Sequence, residues 1–271
     1  MAEAAIAVRG ARRAYDSGEL AEVVALDGVD LEVEAGTFVS VIGPSGCGKS
    51  TLLRLMAGLE QPDAGTIEIC GSTPRAAASQ KRLGFVPQRP ALLPWLSVAK
   101  NVALPGRLNP AATRRRRGER SGAEGPDVHE LLRKAGLGDA MDKLPAQLSG
   151  GMQQRAAIVR AFALHPDVLL MDEPFSALDE FTREALQEQL LDLWGELGAT
   201  VVFVTHSISE AVRLSDRVVV MAPRPGRVVD VVDVDLPRPR SQELLRSQEF
   251  HDLELTVRDL LRDAFATGGA R

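Results

Sequence analysis

The chain has 271 residues, enough for one large domain or two smaller ones, and its 45% apolar and 25% charged residues are ordinary for a globular protein. A net charge of −5 argues against nucleic-acid binding, and two cysteines, Cys47 and Cys70, are too few for a disulfide framework, so a reducing compartment is expected. The opening residues lack a basic stretch followed by an apolar one, and no run approaches the ~18 apolar residues of a membrane span, so any dealing with a membrane is expected to go through a partner.

In chain order, the first third reads as strands. In "VALDGVDLEVEAG" the residues Leu26, Val29, Leu31 and Val33 fall mostly on alternating positions, and "TIEIC" (66–70) alternates similarly, as in a half-exposed antiparallel sheet. The runs "FVSVI" (38–42), "LGFVP" (83–87), "DVLLM" (167–171), "TVVFVT" (200–205) and "RVVVMA" (217–222) are short, β-branched and apolar, the pattern of parallel strands buried on both faces. Helical patterns fall between several of them, which predicts an α/β core. Residues 89–165 read as an inserted helical subdomain. Within them, "RLNPAATRRRRGERSGAEGP" (107–126) has no apolar face and is expected to be a mobile, solvated loop. After "LPRPR" (236–240), Leu253, Val257, Leu260 and Leu261 recur at helical spacing. The expected organisation is one domain over 1–240 and an amphipathic helical tail over 241–271.

"GPSGCGKS" fits G-x-x-x-x-G-K-[ST] between a strand and a helix, the context a phosphate-binding loop requires. Gly43, Pro44, Ser45, Gly46, Cys47, Gly48, Lys49, Ser50 and Thr51 form it. Its backbone N–H groups converge on phosphate, Lys49 neutralises the β and γ phosphates, and the Ser50 hydroxyl ligates Mg²⁺. In "VLLMDEP", Asp172 is placed to hold Mg²⁺, and Glu173 is a candidate general base for a water attacking a phosphoryl group. Gln88 and His206 also follow apolar strands, the first as a magnesium or water contact, the second near the γ phosphate and attacking water. In open α/β sheets ligands bind beyond the carboxyl ends of the strands, so polar elements after four strands point to one shared site. Tyr15, the one tyrosine, either stacks on an adenine ring or packs in the core. "LSGGMQQR" (148–155) adds a second helix start suited to an anion.

The order Tyr15, "GPSGCGKST", Gln88, "LSGGMQQR", "LLMDEP", "SALD" and His206 resembles the nucleotide-binding subunit of ABC transporters, over nearly the whole chain. That resemblance implies a P-loop NTPase (RecA-like) core with a parallel sheet, an N-terminal antiparallel β subdomain and an inserted helical subdomain. It implies ATP and Mg²⁺ as ligands, and a second copy of the chain bound head to tail. Ser149, Gly150 and Gly151 would then grip the γ phosphate of ATP held by the partner, with Asp179 of "SALD" (176–179) at the same interface. Met152 stands where the family often has glutamine. "PQRPALLPWLSVAKNV" (87–102) and "MAPRPGRVV" (221–229) resemble importer ATPases of the nitrate, sulfonate and taurine group. The resemblance implies a separate integral membrane permease, indirectly a solute-binding protein, no nucleic acid, and a peripheral place on the cytoplasmic face of the inner membrane. An ATPase of another ABC transporter class and a non-transport ABC clamp are the alternatives.

Overall fold

The computed structural model describes residues 4–16, 22–119 and 127–268. The elements run β1 (Ala4–Asp16), β2 (Glu22–Glu34), β3 (Phe38–Ile42), α1 (Lys49–Met56), β4 (Ala64–Ile69), α2 (Pro74–Ser79), β5 (Leu83–Val86), α3 (Val98–Arg107), α4 (Pro110–Glu119) and α5 (Val128–Lys134). They continue α6 (Gly150–Phe162), β6 (Val168–Asp172), α7 (Glu180–Leu197), β7 (Thr200–Thr205), α8 (Ile208–Leu214), β8 (Arg217–Ala222), β9 (Arg227–Asp233) and α9 (Gln248–Gly268). Two compact units result, one reaching Arg75 and resuming at Thr200, the other Ala76–Ala199.

The first unit holds an antiparallel sheet ordered β2-β1-β4, in which β1 is central. Tyr15 therefore lies inside a strand, which its sequence position had not indicated. Parallel pairing joins β3 to β7 and to β8, and β9 closes antiparallel on β8. Every residue of β3 and β7 is buried, as their mostly apolar runs require. The one polar residue within β3, Ser40, is satisfied by the Ser215 hydroxyl. On this sheet α9 packs with α8, and Phe250 and Val257 share a core with Ile42, Val218 and Val220. The turn between α8 and β8 is tied by two arginines of the connector. Arg240 Nη1 donates to the carbonyls of Val212, Arg213 and Ser215, and Arg238 Nη2 to that of Leu214 (2.7 Å) and to Asp216 (2.7 Å). Cations on a helix's last carbonyls are favoured electrostatically.

The second unit pairs β5 with β6 in parallel and carries the helices α3 to α7. Its longest helix, α7, begins at an Asp179 cap and ends at Gly198, whose φ of 60° suits a residue without a side chain.

The expectation of a loop over 107–126 is corrected, because α4 covers Pro110–Glu119, while 120–126 lie outside the described residues. Pro110 starts the helix where no N–H is needed, Asn109 Oδ1 accepts the Ala112 N–H (3.3 Å), and alanine and arginine propagate it well. Arg116, in the arginine run read as solvated, is buried and ion-paired to Asp167. Arg82 Nε reaches the other oxygen of Asp167 at 2.7 Å. The run thus places one anchoring residue beside the exposed Arg114 and Arg115.

Candidate functional site

In the first unit, β3 runs directly into the phosphate loop. Gly48 stands at φ 91° before α1, and no side chain caps the helix there, a helix start of the kind that suits an anion. Ser45 and Gly46 are exposed, whereas Cys47 is fully buried. Burial pushes the Cys47 thiol up. Only the backbone of Cys47 is suited to phosphate. Lys49 is buried, with its Nζ donating to the carbonyls of Gly43 (2.8 Å) and Pro44 (3.0 Å), so its charge is held against the loop.

Tyr15 comes to α1 from the end of β1. Its hydroxyl donates to Glu60 Oε2 (2.6 Å) and lies 3.4 Å from Thr51 Oγ1, and the Arg13 guanidinium sits 4.9 Å from its ring centroid. The ring is half-buried. Asp63 secures this strand end, accepting the Ala14 N–H at 2.7 Å and Arg13 Nη1 at 2.8 Å. His206 leaves β7, whose Thr205 pairs with Ile42, so His206 and the phosphate loop follow neighbouring strands at the same end. The His206 turn is braced on both sides. Thr205 Oγ1 donates to buried Glu210 (2.5 Å), and Ser207 caps α8 by accepting the Glu210 N–H (3.3 Å).

In the second unit, β5 and β6 end side by side, and Gln88 Nε2 donates to Glu173 Oε2 at 3.1 Å. Asp172 is buried and Glu173 partly exposed. Glu173 has φ 44°, a left-handed conformation that costs a residue with a Cβ about 1–2 kcal/mol. The following turn closes on it, since the Ser176 hydroxyl donates to the Glu173 carbonyl (3.0 Å). Hydrogen bonds from Thr182, chiefly its backbone N–H, hold the Asp179 carboxyl below the usual carboxylate range. Ser149 caps α6 by accepting the Met152 N–H (3.3 Å), and Ser149 and Gly150 are exposed.

Three further residues position these groups and were not singled out from sequence. Gly226, in the turn before β9, has no room for a side chain: a Cβ there would lie 2.3 Å from the Cys47 carbonyl oxygen. Buried Asn101 binds the backbone of Leu93, Leu96 and Ser97, and Arg160 donates to the carbonyls of Pro90 and Ala91, both at 2.8 Å. Burial pushes the Arg160 guanidinium down. Together they fix the "RPALLPWL" segment and leave Trp95 70% exposed. Arg160 sits in a stretch whose sequence gives no chemical signal, and Gly226 in the segment 221–229, whose only signal is its family resemblance.

The residues fit ATP. An uncapped helix start, a lysine turned into its loop and an exposed Ser-Gly edge are what triphosphate recognition uses. Among the described residues no three His, Cys, Asp or Glu side chains cluster to hold a metal by themselves. Mg²⁺ characteristically takes one or two protein oxygens alongside substrate phosphates; Ser50 in the first unit and Asp172 in the second each carry an oxygen of that kind.

The ABC transporter family model matches residues 26–176. An aliphatic sulfonates import ATP-binding protein of Xanthomonas axonopodis pv. citri is 48% identical over 217 residues, 79% of this chain and 82% of that protein. A bicarbonate transport ATP-binding protein of Synechocystis is 42% identical over 254 residues, 93% of this chain and 37% of that longer protein. Among solved structures, a dimeric ATP-binding cassette in a post-hydrolysis state, bound to ADP and Pi, superposes with a TM-score of 0.71 at 32% identity, covering 86% of this chain and 100% of that one. The fold is accordingly the α/β P-loop NTPase core with its antiparallel β and helical subdomains. The chain belongs to the ABC transporter family and is one of its ATP-binding, ATP-hydrolysing subunits.

Proposed function

We propose that the chain powers uptake of a small anionic or zwitterionic solute, such as nitrate, a sulfonate or taurine, through a separate membrane permease fed by a solute-binding protein. Support comes from the importer-like segments 87–102 and 221–229 and from relatives named for sulfonate import and bicarbonate transport. Among the described residues no helix is long and apolar enough to cross a membrane, so the chain would reach the cytoplasmic membrane face through the permease. The pinned Leu92-Leu93-Pro94-Trp95 segment is our candidate for that contact, with Trp95 as an aromatic anchor.

Lys49 and the loop N–H groups would bind the phosphates, and Tyr15 would stack on the adenine. Mg²⁺, held by Ser50 and Asp172 with Gln88 beside it, would neutralise charge on the β and γ phosphates. Glu173 would take the proton of the attacking water, and His206 would hydrogen-bond the γ phosphate. Two copies would pair head to tail, with Ser149, Gly150 and Gly151 of one reaching the γ phosphate on the other and Asp179 at the same interface. ADP lacks that phosphate, so ATP would favour the closed pair and hydrolysis release it.

The observation that carries this reading is the exposed Ser149–Gly150 edge at the start of α6 in a chain that already holds a complete phosphate loop. Mixed dimers test it. With Ser149→Arg in one chain and Lys49→Ala in the other, one composite site is intact, and one bound ATP with partial closure is expected. With both changes in one chain beside a wild-type partner, both sites are damaged. Equal ATP occupancy in the two mixtures would refute the head-to-tail arrangement.

A further inference from the structure

Gly150 and Gly151 are neighbours in sequence with opposite surroundings. A Cβ on Gly150 meets no heavy atom within 4 Å, whereas one on buried Gly151 lies 2.9 Å from Thr182 Cγ2 and 3.7 Å from Leu178 Cδ2. Thr182 cannot turn aside freely. Asp179 accepts its N–H at 3.0 Å and its hydroxyl at 2.7 Å, and with Oγ1 held the rotamer about Cβ fixes where the methyl points. An added methyl on Gly151 would therefore press against a side chain locked by its own helix cap, and the strain would move the start of α6, where Ser149 sits.

We infer that the two glycines of the signature turn serve different purposes: Gly150 leaves open space for an approaching phosphate, while Gly151 is demanded by the Thr182 methyl within the same chain. Thr182 is then a positioning residue, seating the start of α6 on the start of α7. The inference rests on the proposed contact between this turn and the partner's ATP, for which position is what matters.

The test measures ATP-driven dimerisation by analytical ultracentrifugation in a Glu173→Gln background, with binding of a fluorescent ATP analogue as a check on the phosphate loop. If the Glu173→Gln chain stays monomeric with ATP, the parent reading fails and this inference with it. If it dimerises, adding Gly151→Ala is expected to weaken dimerisation by at least about tenfold, the scale of overpacking a filled site, with analogue binding retained. Thr182→Ser removes Cγ2 and keeps the hydroxyl. Combining it with Gly151→Ala is expected to restore dimerisation to within about threefold of Thr182→Ser alone, since the two positions are in contact and their effects are not additive. A harmless Gly151→Ala would overturn the inference, and a double variant as impaired as Gly151→Ala would overturn it and assign the missing side chain of Gly151 to the phosphate instead of to Thr182. Should Gly151→Ala be recovered unfolded, return of a folded, nucleotide-binding chain on adding Thr182→Ser supports it, and no return overturns it.

Discussion

Replacing Gly226 by alanine adds one carbon at a place with no volume for it. That carbon would lie 2.3 Å from the Cys47 carbonyl oxygen, 2.5 Å from the Ala25 carbonyl oxygen and 3.0 Å from Leu26 Cδ2. The first two are short of ordinary contact by about 1 Å, and both belong to backbone that cannot rotate away. Nor is Gly226 free to retreat, because its N–H donates to the Ala25 carbonyl (3.0 Å) and its carbonyl accepts the Asp27 N–H (3.1 Å). The cost should fall at the upper end of the ~1–3 kcal/mol of overpacking. Cys47 lies between Gly46 and Gly48 of the phosphate loop, so strain taken up there should weaken ATP binding by about 30- to 150-fold. Titration calorimetry with ATP and thermal unfolding of the nucleotide-free chain separate the two ways of relieving it. A yielding phosphate loop loses affinity at a nearly unchanged Tm, while a yielding β8–β9 turn lowers the Tm. Gly195→Ala is the control: inside α7, with nothing within 4 Å of the added carbon, it should stabilise by about 0.5–1 kcal/mol. Unchanged affinity and unchanged Tm in Gly226→Ala would refute the steric account.

Glu173→Gln should bind ATP yet hydrolyse it about 10²–10⁴-fold more slowly and accumulate as an ATP-bound dimer; near-normal turnover with the permease present would exclude Glu173 as the base. Leu93→Asp and Trp95→Ala should each lose permease association and uptake while the isolated chain keeps its ATPase activity; loss of nucleotide binding in Leu93→Asp would assign that half-buried residue to the core. Asp63→Asn should lower the Tm at pH 7, because the Asp63 carboxyl is held below its ordinary range, first by the Ala14 N–H and then by Arg13. A depressed carboxylate contributes stability above its unfolded pKa and loses it as pH falls through the folded one. The Tm difference from wild type should therefore vanish in acid, and a difference independent of pH would contradict the assignment.

The strands of the first unit's parallel sheet were legible because burial on both faces writes itself as short, mostly apolar, β-branched runs, and the phosphate loop because its chemistry needs fixed residue types at fixed spacing. β1 was not, since bulges at several positions interrupt its alternation and Arg9, Arg12 and Arg13 break its apolar run. Residues 110–119 were misread because a helix held by one buried arginine has no apolar face to advertise it. Gly226 and Arg160 act on backbone atoms far away in sequence and Asn101 on the turn just before its own helix, and a single chain gives no sign of which backbone atom a residue will meet. The link between Gln88 and Glu173 follows the same rule: each residue was recognisable alone, but their contact depends on the pairing of β5 with β6.

The packing of α9 bears on how this protein can be cut and joined. Phe250 and Val257 cover Val218, Val220 and Ile42, and Ile42 is the last residue of the strand that feeds the phosphate loop. Cleavage at the connector would leave these side chains facing water, an invitation to aggregation rather than a tidy minimal enzyme. A tag or fusion placed between Arg240 and Phe250 would also pull on the arginines that close the end of α8. The helix that resembles an appendage is in use as a lid on the engine's own frame.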